Sequence, residues 1–211
     1  MVNKKNIFFC LLMISVTLFG CSDGKRDNIE LQSLYKRVNY DIVNYYQNQS
    51  KKDSTILIAD LKALDSLGKS LCSNRQLVQL KMTIYNELNR KTDALKFLST
   101  VPDSILSEKN IFNGKVYYLD GKIVRKMTEG FFAETEKEKF RKYEDAAILL
   151  ENYLKQNIDE IALMKYIAIK CYVDTNFDVN NLINVEKKYR KYNDEFLKTI
   201  KNIDWENISP Q

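Results

Sequence analysis

An all-α fold is what this sequence predicts, on three observations. Its 211 residues contain two prolines and six glycines. No stretch sustains the alternation of apolar and polar residues that marks a half-buried strand. Apolar residues instead recur at spacings of three and four, which gathers them into one stripe along a helix.

Taken in order, the first helix is expected from about Asn28 to Gln49, with Leu31, Leu34, Tyr35, Val38, Ile42 and Tyr45 on its buried side and the polar break Asn48 to Lys52 ending it. A second, about Ser54 to Leu71, carries Leu57, Leu61, Leu64 and Leu71 on one face, so that the two form an antiparallel pair across a short loop. The third is expected to open on Ser73-Asn74-Arg75-Gln76, read as a capping box with Ser73 and Gln76 satisfying each other's amides. It carries Leu77, Val78, Leu80, Ile84, Tyr85 and Leu88. Asn89 falls where the chain must turn, and asparagine tolerates the left-handed conformation. A fourth helix follows over Thr92 to Leu98, closing near Val101-Pro102.

Phe112, Val116, Leu119 and Ile123 suggest another apolar helix, with Gly121 either a close contact or a break. The charged run from Glu134 to Lys139 reads as a solvated extension leading to a helix over Tyr143 to Leu154. Beyond it, Ile161, Ala162, Tyr166, Ile169, Tyr172 and Val173, with Leu163 and Ile167 on a second face, predict a helix covered on both sides. The last helix is expected to run through Leu182, Val185, Tyr189, Tyr192, Phe196, Ile200 and Ile203. Lys187, Lys188, Arg190, Lys191, Lys198 and Lys201 crowd its other side. One apolar and one charged face suit a terminal capping helix with a solubilising outer surface.

The N-terminus carries a different signal. Lys4 and Lys5 precede an apolar run from Ile7 to Leu18, and the segment closes on Leu18-Phe19-Gly20-Cys21. This resembles a bacterial lipoprotein signal peptide with its lipobox, with Phe19 an unusual occupant of its position. The 14 residues from Ile7 to Gly20 fall short of the roughly 20 that a membrane-spanning helix needs. The resemblance implies cleavage before Cys21, which would carry diacylglycerol and an N-acyl chain, and a place in the cell envelope at the outer membrane. Lipid chains contribute about 0.8 kcal/mol of membrane affinity per methylene, enough for a stable anchor. On this reading residues 1–20 are the signal peptide, 21–27 the lipidated cysteine and its tether, and 28–205 a single helical domain. Cys21-Ser22-Asp23 resembles the start of the surface-export signal of Bacteroides-type lipoproteins. Asp53-Ser54-Thr55, Asp65-Ser66-Leu67 and Asp103-Ser104-Ile105 match the O-glycosylation pattern of such bacteria, although Ser54 and Ser104 serve equally as helix-entry residues.

A second resemblance lies inside the helices. Tyr85, Asn89, Ala94, Leu98 and Val101 fall at offsets similar to those of the tetratricopeptide repeat, in which a small residue, here Ala94, lets two helices cross closely. Ala146, Leu150 and Tyr153 repeat the second half of the pattern. The 52 residues separating Ala94 from Ala146 exceed the repeat's period of about 34. The resemblance implies an antiparallel helical-pair solenoid of three or four pairs, and it makes Gln76, Gln79, Thr83 and Asn86 the groove-lining positions. Tyr166 and Lys170 extend that groove from the last pair. The row is polar and lacks the lysine with which family members clamp a terminal carboxylate; it suits an extended peptide or a glycan, or serves simply as a wet helix face.

Composition narrows the chemistry. There is no histidine, which removes histidine triads, proton shuttles and the usual zinc sites. No Gly-rich phosphate loop or Gly-x-Ser-x-Gly elbow occurs. Glu134, Glu136 and Glu138 point in different directions on a helix and suggest no metal. Without residues 1–20 the chain has 31 basic and 28 acidic residues, a net charge of +3, too mild for a nucleic-acid platform. Cys72 and Cys171 read as small apolar fillers, with a disulfide the alternative. The expectation is a lipid-anchored protein-interaction module without a cofactor. The rivals are an immunity lipoprotein against a delivered toxin, an outer-membrane assembly subunit and, last, a small glycan-acting enzyme.

Overall fold

The computed structural model describes residues 27–48, 51–112, 114–189 and 192–205. The expected signal peptide, Cys21, residues 22–26 of its tether, Gln49, Arg190 and Lys191 lie outside the described residues, whereas Asp27, the expected end of the tether, opens the first helix. Helices dominate, and the described chain divides into two compact units, 27–106 and 107–205.

In the first unit, α1 (Asp27–Asn48) and α2 (Lys51–Asp65) form the expected pair. Val38 and Ile42 are buried on α1, and Leu57, Leu61 and Leu64 on α2. A 3-10 turn, Gly68–Ser73, follows α2 and buries Leu71, so the second expected helix is an α-helix and a separate tight turn. Gly68, at φ +55, opens that turn in a backbone conformation that glycine adopts readily.

Next come α3 (Arg75–Glu87), α4 (Lys91–Leu98) and the short α5 (Asp103–Leu106). The expected capping box is not formed. Asn74 is the N-cap of α3, its side chain accepting from the Leu77 amide at 3.2 Å, while Ser73 Oγ donates to the Ser70 carbonyl at 2.8 Å. The reason is positional. The preceding 3-10 turn includes Ser73, so the extended conformation an N-cap needs falls on Asn74, an equally good capping residue.

Asn89 does turn the chain in the left-handed region, at φ 53. The Arg90 amide donates to the Tyr85 carbonyl at 2.8 Å and the Asn89 amide to that of Asn86 at 2.9 Å. That pair of bonds is a Schellman closure, which satisfies the last carbonyls of α3 and sends the chain back along it. Ala94 is completely buried at the α3–α4 crossing, beside Leu98 and Val101 at 1% and 2% exposure.

The second unit corrects the expectation of a helix through Phe112 and Val116. Residues Glu108–Phe112 and Lys115–Leu119 form an antiparallel hairpin, β1 and β2, with Ile111 opposite Val116 and Lys109 opposite Tyr118. Two residues, Asn113-Gly114, connect the strands. Gly114 adopts φ +74, and Asn-Gly is the dipeptide a two-residue hairpin turn favours. Tyr117 and Leu119 are buried on one face while Val116 and Tyr118 are exposed on the other, a period of two. Phe112, Val116, Leu119 and Ile123 share no helix face, because Ile123 belongs to the next element.

That element, α6 (Gly121–Phe132), is capped by Asp120, whose carboxylate accepts from the Lys122 amide at 2.7 Å. Gly121 therefore opens a helix. α7 (Glu136–Gln156) starts at Thr135, which accepts from the Glu138 amide, so the charged run is the solvated first turn of the helix. α8 (Glu160–Val173) is covered on both sides as expected. Ala162 and Ile169 join a core with Leu119, Ile123, Tyr143, Ala146 and Leu150, whereas Leu163 and Ile167 join another with Ile183, Phe196, Leu197, Ile200 and Trp205. The single last helix is instead two, α9 (Val179–Tyr189) and α10 (Asp194–Lys201). Asn193 starts α10 by accepting from the Glu195 amide, and Val185 and Tyr189, expected in the stripe, are exposed.

Candidate functional site

The four groove positions lie on α3. Gln76 is exposed, and Gln79, Thr83 and Asn86 are half-buried; their spacing of three, four and three places them along one side of the helix. Thr83 Oγ1 donates to the Gln79 carbonyl one turn back at 3.0 Å, a bond internal to the helix. At the end of the row Asn86 Nδ2 donates to Glu87 Oε1 at 3.0 Å, and that oxygen also accepts from the Tyr46 hydroxyl of α1 at 2.6 Å. The row thus ends beside a carboxylate, which favours a ligand presenting hydrogen-bond donors and disfavours a terminal carboxylate.

Two charged groups beneath this unit were not anticipated. Lys81 is 5% exposed, with its ammonium 4.0 Å from the Phe97 ring centroid and paired with Asp65. The ring face and the carboxylate together offset its desolvation. Asp60, 3% exposed, accepts from Arg37 Nη2 at 3.3 Å. Burial foremost, then the neighbouring Asp41, pushes its carboxyl up to about 6 against the opposing pull of Arg37.

Tyr166 and Lys170 belong to the second unit, on α8. The Tyr166 ring meets Phe177 edge-on at 6.1 Å. The Lys170 ammonium is 5.6 Å from the same ring and 3.7 Å from Asp174. The six expected positions therefore fall into two sets, four on α3 and two on α8. The serines of two Asp-Ser motifs, Ser66 and Ser104, are exposed, while Ser54 is half-buried. Cys72 and Cys171 are free thiols, both partly buried; burial pushes the Cys171 thiol up, with Asp174 adding to it.

A second surface lies along β2. Lys115, Val116, Tyr117, Tyr118, Tyr153, Asn157 and Ile158 line a cleft of about 500 Å³. The Tyr153 hydroxyl reaches both the Tyr118 carbonyl and Asp159 Oδ2, each at 3.0 Å. Burial and then Asp159 raise the Tyr153 phenol above its ordinary range, keeping it protonated as a donor. Asp159, 1% exposed, also caps α8 by accepting from the Ile161 and Ala162 amides. In the same unit Glu108 of β1 pairs with Lys165 of α8 at 2.6 Å, the side chains 14% and 6% exposed. Sequence reading missed this surface because it took the hairpin for a helix; the Asn113-Gly114 dipeptide was the available signal.

No protein-family model, curated protein or solved structure matches the chain. Among the described residues, no cluster of three or more cysteine, aspartate or glutamate side chains is arranged to hold a metal ion, and no helix is long and apolar enough to cross a membrane. The α3 row and the β2 cleft are both suited to polar, hydrogen-bonding recognition.

Proposed function

We propose that this protein is an envelope lipoprotein, anchored through lipid on Cys21, whose helical pairs form a tetratricopeptide-like protein-interaction module. The observation that carries the reading is the α3–α4 hairpin. A left-handed Asn89 turns the chain, Ala94 is buried without exposure at the crossing, and Tyr85 packs on Phe97 with ring centroids 6.2 Å apart. The partner surface we assign is the row Gln76, Gln79, Thr83 and Asn86 on the first helix of this hairpin, whose side chains are exposed or half-buried.

The second pair departs from this pattern. α7 begins at Glu136, ten residues before Ala146, whereas α4 begins three residues before Ala94. About two extra turns of helix thus precede the small residue. The α3 row is accordingly the proposed contact surface, and its ligand is an extended peptide segment of a partner protein, bound through side-chain amides.

The reading predicts that Gln79→Ala with Asn86→Ala lowers crosslinked recovery of the partner from intact cells at least tenfold. Both side chains are partly exposed, so stability should change by no more than about 0.5–1 kcal/mol. Crosslinking followed by mass spectrometry, beside a thermal melt of each variant, makes the comparison. Undiminished recovery of the same partner would sink the assignment of this row.

A further inference from the structure

We infer that the cleft beside β2 binds a second ligand, an acidic, extended segment of a partner protein that adds to the hairpin as a third strand. The inference is independent of the α3 row. A two-residue turn is closed by a hydrogen-bonded pair, here Phe112 with Lys115, and antiparallel pairs then alternate between bonded and non-bonded. Asn110–Tyr117 and Glu108–Leu119 are therefore bonded pairs. Ile111–Val116 and Lys109–Tyr118 are non-bonded pairs, and their backbone groups point away from the ladder.

One contact fixes this assignment independently. The Tyr153 hydroxyl donates to the Tyr118 carbonyl at 3.0 Å from α7, outside the hairpin, which requires that carbonyl to face outward. The amide and carbonyl of Val116 and the amide of Tyr118 face the same way, toward the cleft. Such a row of outward donors and acceptors is a template for another strand.

The walls of the cleft select the occupant. β2 forms one side, and Tyr153 at the end of α7, with Asn157 and Ile158 after it, forms the other. Tyr153 closes the cleft at the Tyr118 carbonyl, so the strand groups offered to a single extended chain are the Val116 amide and carbonyl and the Tyr118 amide. The volume of about 500 Å³ lies within the roughly 300–1,000 Å³ of ligand clefts. Val116, Tyr118 and Ile158 are 46%, 63% and 53% exposed, and offer β-branched and aromatic partners for cross-strand pairing. Among the lining residues the one charged side chain is positive, and the carboxylates that act on Tyr117, Glu160 and Asp159, are buried at 7% and 1% exposure. Lys115 is exposed at one end of the cleft, and Lys109 lies 6.0 Å from the centroid of the Tyr118 ring. An acidic side chain opposite Lys115 is the matching feature of the ligand.

The test uses the full chain in mild detergent with a pool of fluorescein-labelled pentapeptides of the form Thr-Val-Glu-Val-Thr, in which valine is varied to isoleucine or tyrosine. Saturable binding by fluorescence polarisation is expected. Amide hydrogen exchange in residues 115–119 should slow at least tenfold when peptide is bound. Val116→Pro removes one outward amide and no internal ladder bond, a replacement that an edge strand tolerates; with circular dichroism unchanged it should weaken binding at least tenfold. Lys115→Glu should do the same, and Gln79→Ala with Asn86→Ala should leave this binding intact. Absence of saturable binding across the pool would overturn the inference. So would equal binding by Val116→Pro, or protection of residues 115–119 that appears without peptide as the protein doubles in mass.

Discussion

Glu108→Gln is expected to destabilise the 107–205 unit by about 3–5 kcal/mol, the range for removing one partner of a buried ion pair. Lys165 is 6% exposed on its side chain and holds Glu108 at 2.6 Å. Neutralising the carboxylate leaves an ammonium with neither water nor a counter-charge. Much of the cost is that stranded charge and not the loss of a favourable pair, so a second substitution should recover it. Glu108→Gln with Lys165→Met replaces the ammonium by an apolar chain of similar length and should restore most of the lost stability. Trp205, the sole tryptophan, is buried in the second core of this unit, and its fluorescence in a urea titration reads the unit that carries both changes. A double variant no more stable than Glu108→Gln would contradict this account of the pair.

Gly130→Ala should be the other large effect. A Cβ at Gly130 would lie 2.7 Å from Cδ1 and 2.8 Å from Cε1 of Tyr143, well inside contact distance. The Tyr143 ring cannot swing aside readily. It is 3% exposed, sits in the core with Leu119 and Ile123, and meets Tyr172 edge-on at 5.4 Å. Glycine in mid-helix ordinarily costs up to about 1 kcal/mol against alanine, so alanine here gains propensity while forcing α6 and α7 apart. Overpacking of this kind costs about 1–3 kcal/mol, and the net change should be a loss of about 1–2 kcal/mol. The same fluorescence titration measures it; a variant as stable as the parent would show that the crossing accommodates a methyl group.

The sequence made the helices legible wherever one stripe faced one core. Val38 and Ile42, or Leu57, Leu61 and Leu64, sit inside because the helical period put them there. The double-sided α8 was equally readable, since Ala162 and Ile169 lie a helical face away from Leu163 and Ile167. Asn89 was readable because few residues other than glycine accept a positive φ. What escaped was local. Four apolar residues at helical spacing concealed a hairpin whose turn residues outweigh that spacing. Asn193, a strong cap, divides what looked like a continuous stripe.

The candidate positions were legible as a row but not in their chemistry. Periodicity places Gln76, Gln79, Thr83 and Asn86 together, yet the bond from Asn86 to Glu87 and its link to Tyr46 depend on α1 packing beside α3. Lys81 and Lys165 illustrate the same limit. Each lies on a helix as an ordinary surface residue would, and each is buried because a carboxylate from elsewhere in its unit meets it.

The central claim is that a lipid on Cys21 tethers a helical interaction module, and metabolic labelling with radioactive palmitate tests it most directly. Label should enter the full-length protein in growing cells and be absent from Cys21→Ser made at the same level. Unlabelled parent protein, or label that persists in Cys21→Ser, would contradict the account.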